Sequence, residues 1–334
     1  MSASEFTLDD RSILVTGGTG SFGQRFVRMV VERYMPRRLV VFSRDEQKQY
    51  EMAAEFEGRP LRFFIGDVRD PDRLEMAMRD IDYVVHAAAL KHISAAEYNP
   101  FECIKTNVNG AENVVRAALR NEVKRVIALS TDKAVNPINL YGASKLASDK
   151  IFIAANNLSG TAATRFSVAR YGNVLGSRGS VVQQFERLLR EGADDLPITD
   201  ERMTRFWITV GQGVEFVLSS LAMMHGGEIF VPKIPSMKIV DLARCMAPDL
   251  PLRVIGIRPG EKLHEVLVTA DDARTTIELD DRYIVEPAFA FWSREPYVAC
   301  GARPVADGFR YASDTNNAWL DADSLKRLLG EPRT

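Results

Sequence analysis

Nowhere in the 334 residues does an apolar run approach the roughly 20 positions that cross a bilayer, so no membrane span is expected. The opening stretch, MSASEFTLDDR, is polar and lacks the apolar segment of a signal peptide. Cysteine is scarce. Cys103, Cys245 and Cys300 are odd in number and far apart, which excludes a disulfide framework and reads as reduced packing residues. Histidine is nearly as scarce, with 4 in all, and neither His-Glu-x-x-His nor Cys-x-x-Cys spacing occurs. No metal site is therefore expected, and His86 and His92 read as ordinary structural histidines. Net charge is only −2, so no basic field draws the chain to nucleic acid or anionic lipid. Internal repeats, low-complexity tracts and long linkers are also missing. What remains is a cytoplasmic enzyme with a large core.

The present features begin with rhythm. Short β-branched runs (SILVTG, RLVVFS, LRFFIGD, YVVHAAA, RVIALST, TRFSVARYG) alternate with segments of helical spacing at 21–34, 45–57, 70–79, 100–121 and 140–158. Strands apolar on both faces and separated by amphipathic helices predict a parallel sheet covered on both sides. Right-handed crossovers make this an α/β, Rossmann-like doubly wound fold, with ligands at the C-terminal rim of the strands. After about residue 173 the rhythm becomes loop-rich. We expect residues 1–172 to form the dinucleotide-binding domain. Residues 173–334 are expected to form mainly a smaller substrate lobe, with some segments returning to the sheet. Trp207 and Phe206 read as core.

VTGGTGSFG follows the first strand and opens the first helix. Gly17, Gly20 and Gly23 supply positions without a Cβ where backbone meets pyrophosphate, and helix N–H groups face its charge. The second strand ends in Ser43-Arg44-Asp45, with Lys48 one turn on. A hydroxyl and a guanidinium suit a 2′-phosphate, so NADP is expected in preference to NAD. Asp67, closing the third strand, is placed to meet the adenine amino group. Small residues around Ala87 let the backbone lie against the cofactor, and Lys91 falls near phosphates or substrate.

Tyr141-Gly-Ala-Ser-Lys145 puts a phenol and an ammonium one helical turn apart. A tyrosine titrating near 10 is a poor base at neutral pH, and a neighbouring ammonium favours the phenolate. With the glycine turn and the second lobe, this pattern resembles the extended branch of the short-chain dehydrogenase/reductase superfamily. In retaining sugar 4,6-dehydratases of that branch the fifth strand ends in Thr-Asp-Glu; here it ends in Thr131-Asp132-Lys133. A lysine can take a proton from carbon only when neutral, and burial beside a cation is expected to depress its pKa toward that state.

The resemblance to the inverting sugar 4,6-dehydratases runs from about residue 12 to 330. It includes FSRDEQKQYEM, HAAALKHISAAEYNPFECIKTNVNGA, ALSTDKAVNPINLYGASK, RYGNVLGSRGSVV, RMTRFWIT and IGIRPGEKLHE. It implies that Tyr141 takes the C4 hydroxyl proton, Lys133 takes the C5 proton and Asp132 protonates the departing C6 hydroxyl. Thr131 completes the set and Lys145 also holds the cofactor ribose. A tightly bound NADP is recycled within each turnover, the substrate is UDP-N-acetylglucosamine, and the product enters pseudaminic acid synthesis. Cofactor residues carried over with the motifs are Thr19, Ser21 and Phe22 beside the glycines, Val68 beside Asp67, and Leu129, Ser130 and Val174. For the substrate, Arg178, Arg205 and Arg258 are placed as a diphosphate clamp, with Glu261 on the ribose hydroxyls and Asn173 on the sugar. Gly179, Ser180 and Val181 lie beside the sugar, and Thr199 lies at the edge that reads uracil. A homo-oligomer is implied as well, as is a chain opening directly on the nucleotide fold, without preceding membrane spans.

Overall fold

The computed structural model describes residues 6–160, 163–177, 179–288 and 292–330. The first half alternates as expected: β1 (Ser12–Thr16), α1 (Ser21–Arg33), β2 (Arg38–Ser43), α2 (Glu46–Glu55), β3 (Leu61–Ile65), α3 (Pro71–Ala77) and β4 (Tyr83–His86). Then come α4 (Ile93–Tyr98), α5 (Pro100–Ile104), α6 (Gly110–Arg120), β5 (Arg125–Thr131), α7 (Leu140–Leu158) and β6 (Arg165–Tyr171). All five β1 residues are buried, as a strand covered on both faces requires. Helix starts follow local chemistry. Asp45 accepts from the Lys48 N–H, and Asp70, followed by Pro71, accepts from the Arg73 N–H.

One helix differs from expectation. Residues 100–121 do not form a continuous α-helix, because a π-helical turn at Lys105–Asn109 separates α5 from α6. The wider turn aims Asn107 inward, where it accepts from the Leu90 N–H at 2.8 Å and donates to the Leu90 carbonyl and Ser144 Oγ, both at 2.9 Å. An uninterrupted α-helix would carry the same amide elsewhere.

The second half contains β7 (Asn173–Val174), α8 (Val181–Arg190), β8 (Leu196–Ile198), β9 (Thr204–Ile208), α9 (Val210–Met223), β10 (Ile229–Pro232), β11 (Ser236–Lys238) and α10 (Ile239–Met246). It ends with β12 (Leu252–Val254), β13 (Val266–Val268), β14 (Thr276–Glu278), β15 (Arg282–Val285), α11 (Glu295–Val298), β16 (Arg303–Pro304), β17 (Tyr311–Ala312) and α12 (Ala322–Gly330). The main sheet runs β16-β14-β15-β10-β6-β5-β4-β1-β2-β3. It is parallel from β3 to β10 and antiparallel beyond. Smaller sheets β11-β9-β7, β12-β8 and β13-β17 stand over the C-terminal rim of β5 and β6. Leu175, Val182, Phe185, Trp207 and Met237 form a second core there, while Phe206 joins the core of the main sheet. Among the described residues no helix is long and apolar enough to cross a membrane. The cysteines are all free, but Cys300 is exposed, which a packing role does not explain.

The sheet extension is fastened by Glu228, fully buried just before β10. Its carboxyl group accepts from Ser167 Oγ (2.6 Å), Tyr297 Oη (2.8 Å), Trp292 Nε1 (3.0 Å) and the N–H groups of His225 and Gly226 (both 2.8 Å). Glu228→Ala strands several buried donors at once. It is expected to lower stability by roughly 3 kcal/mol or more in urea unfolding, and a loss below about 1 kcal/mol would show that the donors find other partners.

Candidate active site

The glycine turn between β1 and α1 packs without clearance. Gly17 has φ +66°, and a Cβ there would lie 2.9 Å from the Ala88 nitrogen and 3.0 Å from the Ala87 carbonyl carbon. A Cβ on Gly23 would overlap the Gly18 backbone. This leaves the N-terminus of α1, starting at Ser21 and Phe22, facing the sheet rim with no acidic residue in its first turn, a fit for a dinucleotide's pyrophosphate. Thr19 and Ser43 bind each other through their hydroxyls at 2.6 Å. Asp45 is engaged as the α2 cap and pairs with the Lys48 ammonium. The half-exposed Arg44 leans toward Asp67 at 3.5 Å. Burial alone would raise Asp67, but Arg69 and Arg44 outweigh it and hold the carboxyl below its usual range. Val68 is buried and its carbonyl accepts from Asn113. The Ala87 N–H donates to the Thr16 carbonyl, while Lys91 is exposed. Leu129 lies in β5 and Val174 in β7. His86 is a core residue bonded to Thr16 at 2.8 Å, which burial and then the Lys145 charge push down to about 3.

β5 ends at Thr131 and turns through Asp132–Ala134 before α7 begins. The turn is pinned from both sides. Asn139 accepts from the Gly142 N–H (2.8 Å) and donates to the Gly260 carbonyl (2.7 Å). Gly142 has no room for a side chain, because a Cβ would overlap the Lys133 carbonyl oxygen. The glycine of Tyr-Gly-x-x-Lys thus lets the helix bearing Tyr141 sit directly on the backbone of Lys133.

Asp132 is wholly buried and accepts from Thr131 Oγ1 (3.0 Å) and Lys133 Nζ (2.9 Å). Lys133 also donates to Asn173 at 3.4 Å and faces Glu265 at 3.5 Å. Burial drives Asp132 upward, against the pull of Lys133. For Lys133 the expected depression is not found. Burial lowers it, but Asp132 and Glu265 together outweigh burial and hold the ammonium charged. Tyr141 is pushed up to about 12 by burial, opposed by the Lys133 charge and a hydrogen bond from Thr131. The cation that favours its phenolate is therefore Lys133. Lys145, lowered by burial, is instead drawn upward by Asp149, which also binds Ser130 Oγ at 2.7 Å.

A cavity of about 210 Å³ opens from Lys133 into the second half. It gathers Asn173, Gly179, Ser180, Val181, Thr199, Arg205, Arg258 and Glu261 around one space. Arg178 lies outside the described residues. Arg205 differs from the expected clamp. It is buried, and its guanidinium donates to the carbonyls of Thr204 (2.7 Å), Lys262 (2.9 Å) and Leu263 (3.1 Å). Arg258 is half-exposed and pairs with Glu261 at 3.4 Å. Glu265, Lys262 and Asn139 also line the cavity, and the sequence reading missed all three. They sit at or near quoted motifs, RPGEKLHE and NPINLYGASK, but nothing in spacing connects segments so far apart.

A family model described as "Polysaccharide biosynthesis protein" matches residues 13–287. The chain is 55% identical to a UDP-N-acetylglucosamine 4,6-dehydratase (inverting) of Campylobacter jejuni, covering 96% of this chain and 97% of that one. It is 39% identical to a UDP-glucose 4-epimerase of Rickettsia bellii, covering 96% and 95%. The solved structure of Pen from Bacillus thuringiensis superposes with a TM-score of 0.89 at 35% identity, covering 97% and 98%.

Gly142→Ala is expected to displace the Lys133 carbonyl. Turnover should fall at least about tenfold, since a misplacement near 1 Å at a reacting group costs up to a hundredfold, with dinucleotide affinity retained in a fluorescence titration. Unchanged turnover would show that the helix start has slack.

Proposed function

The chain belongs to the polysaccharide biosynthesis protein family, and from its likeness to the dehydratase of Campylobacter jejuni we infer that it is an inverting UDP-N-acetylglucosamine 4,6-dehydratase. The product is UDP-2-acetamido-2,6-dideoxy-β-L-arabino-hex-4-ulose, the first intermediate on the way to pseudaminic acid. The observation that carries the reading is the buried Asp132–Lys133 hydrogen bond at the rim of β5, beside Tyr141 and opening on the cavity. An epimerase has no water to expel and no use for an acid–base pair there.

NADP fits the groove. Asp45, the residue nearest the usual ribose-binding acid, is committed to its helix cap, and the half-exposed Arg44 would meet a 2′-phosphate. Ser21, Phe22 and the glycine turn would hold the pyrophosphate, and Lys145 the nicotinamide ribose. A nicotinamide held there would supply hydride-transfer chemistry between C4 and C6 and would be regenerated within each turnover.

The chain's own groups handle the protons. Tyr141, as the phenolate that the Lys133 charge favours against burial, accepts the C4 hydroxyl proton, and the resulting ketone acidifies C5–H. Passage of one proton along the 2.9 Å bond from Lys133 to Asp132 leaves a neutral amine and a carboxylic acid. Burial, the largest influence on both groups, favours that exchange. The amine then takes the C5 proton while the acid protonates the leaving C6 hydroxyl, and water departs. The pair ends as ammonium and carboxylate with its original proton count. The proton that Tyr141 took up balances the one C5 must regain, and its return through solvent to the opposite face of C5 gives inversion. Arg258, free to turn from Glu261, would bind the diphosphate, and Asn173 the sugar. Tyr98 and Phe101, 87% and 79% exposed, leave an apolar face on α4 and α5 that suits a homo-oligomer.

Incubation with UDP-N-acetylglucosamine in deuterated water, followed by NMR, should give deuterium at C5, a new C6 methyl and the L-arabino configuration; a C4 epimer alone would overturn the reading. Lys133→Ala should abolish C5 exchange with dinucleotide binding intact. Arg44→Ala should weaken NADP about tenfold or more while leaving NAD nearly unchanged. Equal wild-type affinity for the two dinucleotides would remove the NADP preference.

A further inference from the structure

Glu265 has no role in the proton steps above, yet its side chain is almost wholly buried and lines the cavity. Its backbone is fixed twice to Ser313: the Ser313 N–H donates to the Glu265 carbonyl at 2.8 Å, and the Glu265 N–H donates to Ser313 Oγ at 2.9 Å. Oε1 faces Lys133 at 3.5 Å and Arg205 at 3.7 Å, and Oε2 faces Lys262 at 3.8 Å. Oε2 has no hydrogen-bond partner among the described residues. A buried carboxylate with an unsatisfied oxygen is costly for stability alone, so three cations converge on a charge that the fold would otherwise avoid.

We propose that Glu265 is a positioning residue for the Lys133 amine, supplying the fixed negative charge against which the ammonium forms as a substrate proton is taken. This rests on the elimination reading given above. When Lys133 passes from amine to ammonium, positive charge develops 3.5 Å from an oxygen that is already in place. Such a preorganised charge needs no rearrangement during the step, and in a site shielded from water it acts more strongly than in solvent. Burial raises Glu265, and Lys133, then Arg205 and Lys262, bring it below its usual range; Arg205 and Lys262 still face it when the Lys133 amine is neutral. Asp132 can then spend time protonated without leaving the lysine uncompensated.

The groups facing this pair are Asp132 from the turn after β5, Tyr141 from α7, Arg205 from β9 and Lys262 from the loop before β13. The active pair carries one proton. Turnover therefore falls at low pH as a second proton arrives, and at high pH as the last one leaves. Glu265 raises both Asp132 and Lys133, so removing its charge moves both limbs of the kcat profile to lower pH.

The test compares wild type, Glu265→Gln and Glu265→Asp, each with its bound dinucleotide, by kcat and KM for UDP-N-acetylglucosamine across pH and by C5 deuterium exchange. Glu265→Gln should lower kcat and C5 exchange about ten- to a hundredfold, change KM less than about threefold, and shift both limbs toward acid. Glu265→Asp should recover most of the rate and restore the limbs. Full activity in Glu265→Gln overturns the proposal. So does a loss of kcat with unmoved limbs, or one that Glu265→Asp does not repair, because either marks a merely structural role. Absence of C5 exchange in the wild type would instead overturn the functional reading itself.

Discussion

An ammonium held between two largely buried carboxylates constrains the surrounding architecture. Burial presses Lys133 to shed its proton and Asp132 to keep one, while the charges of Asp132 and Glu265 press the other way. Neither pressure survives a small displacement, because Coulomb forces at short range in a weakly polar medium change steeply with distance. The turn after β5 is accordingly over-determined. Asn139 bridges the start of α7 to Gly260, the Lys262 ammonium donates to the Val135 carbonyl at 2.5 Å, and Gly142 brings the helix onto the Lys133 carbonyl. The Asn139 and Lys262 ties cross between segments distant in sequence, and the Gly142 contact is local.

The same reasoning explains why the second half folds back on the first. A pocket attached only by its own small sheets would hold Glu265 loosely. Instead β10 continues the parallel sheet beyond β6, β15, β14 and β16 extend it antiparallel, and Glu228 fastens the segment bearing Trp292 and Tyr297. The β13–β17 pairing and its Ser313 neighbour then carry Glu265 on a rigid base. Placement of one carboxylate thus draws on hydrogen bonds spread through the last third of the chain.

Much of the fold was legible because it is encoded locally. Apolar runs such as SILVT and RVIALST specify buried parallel strands, and Asp45 and Asp70 mark helix starts by their own bonds. The glycine turn and the Tyr141–Lys145 spacing are local as well. The π-turn at Lys105–Asn109 was not legible, since it answers to the distant Leu90 and Ser144. Glu265 closes the quoted motif RPGEKLHE, but nothing in its spacing connects it to Lys133, which lies far back in the chain. The charge state of Lys133 could not be read either: burial and ion pairing act in opposite directions, and only the distances decide the sign. Arg205 was legible as a site residue but not in its partners, which are carbonyls of a loop far along the chain.

The order in which the polypeptide leaves the ribosome gives the β13–β17 pairing a further meaning. The strands that make the dinucleotide groove emerge early and can pack as a unit while the remainder is still being made. Glu265 and its anchor Ser313 emerge well after those strands. A nascent chain can therefore form its nucleotide fold well before Lys133 acquires its second carboxylate.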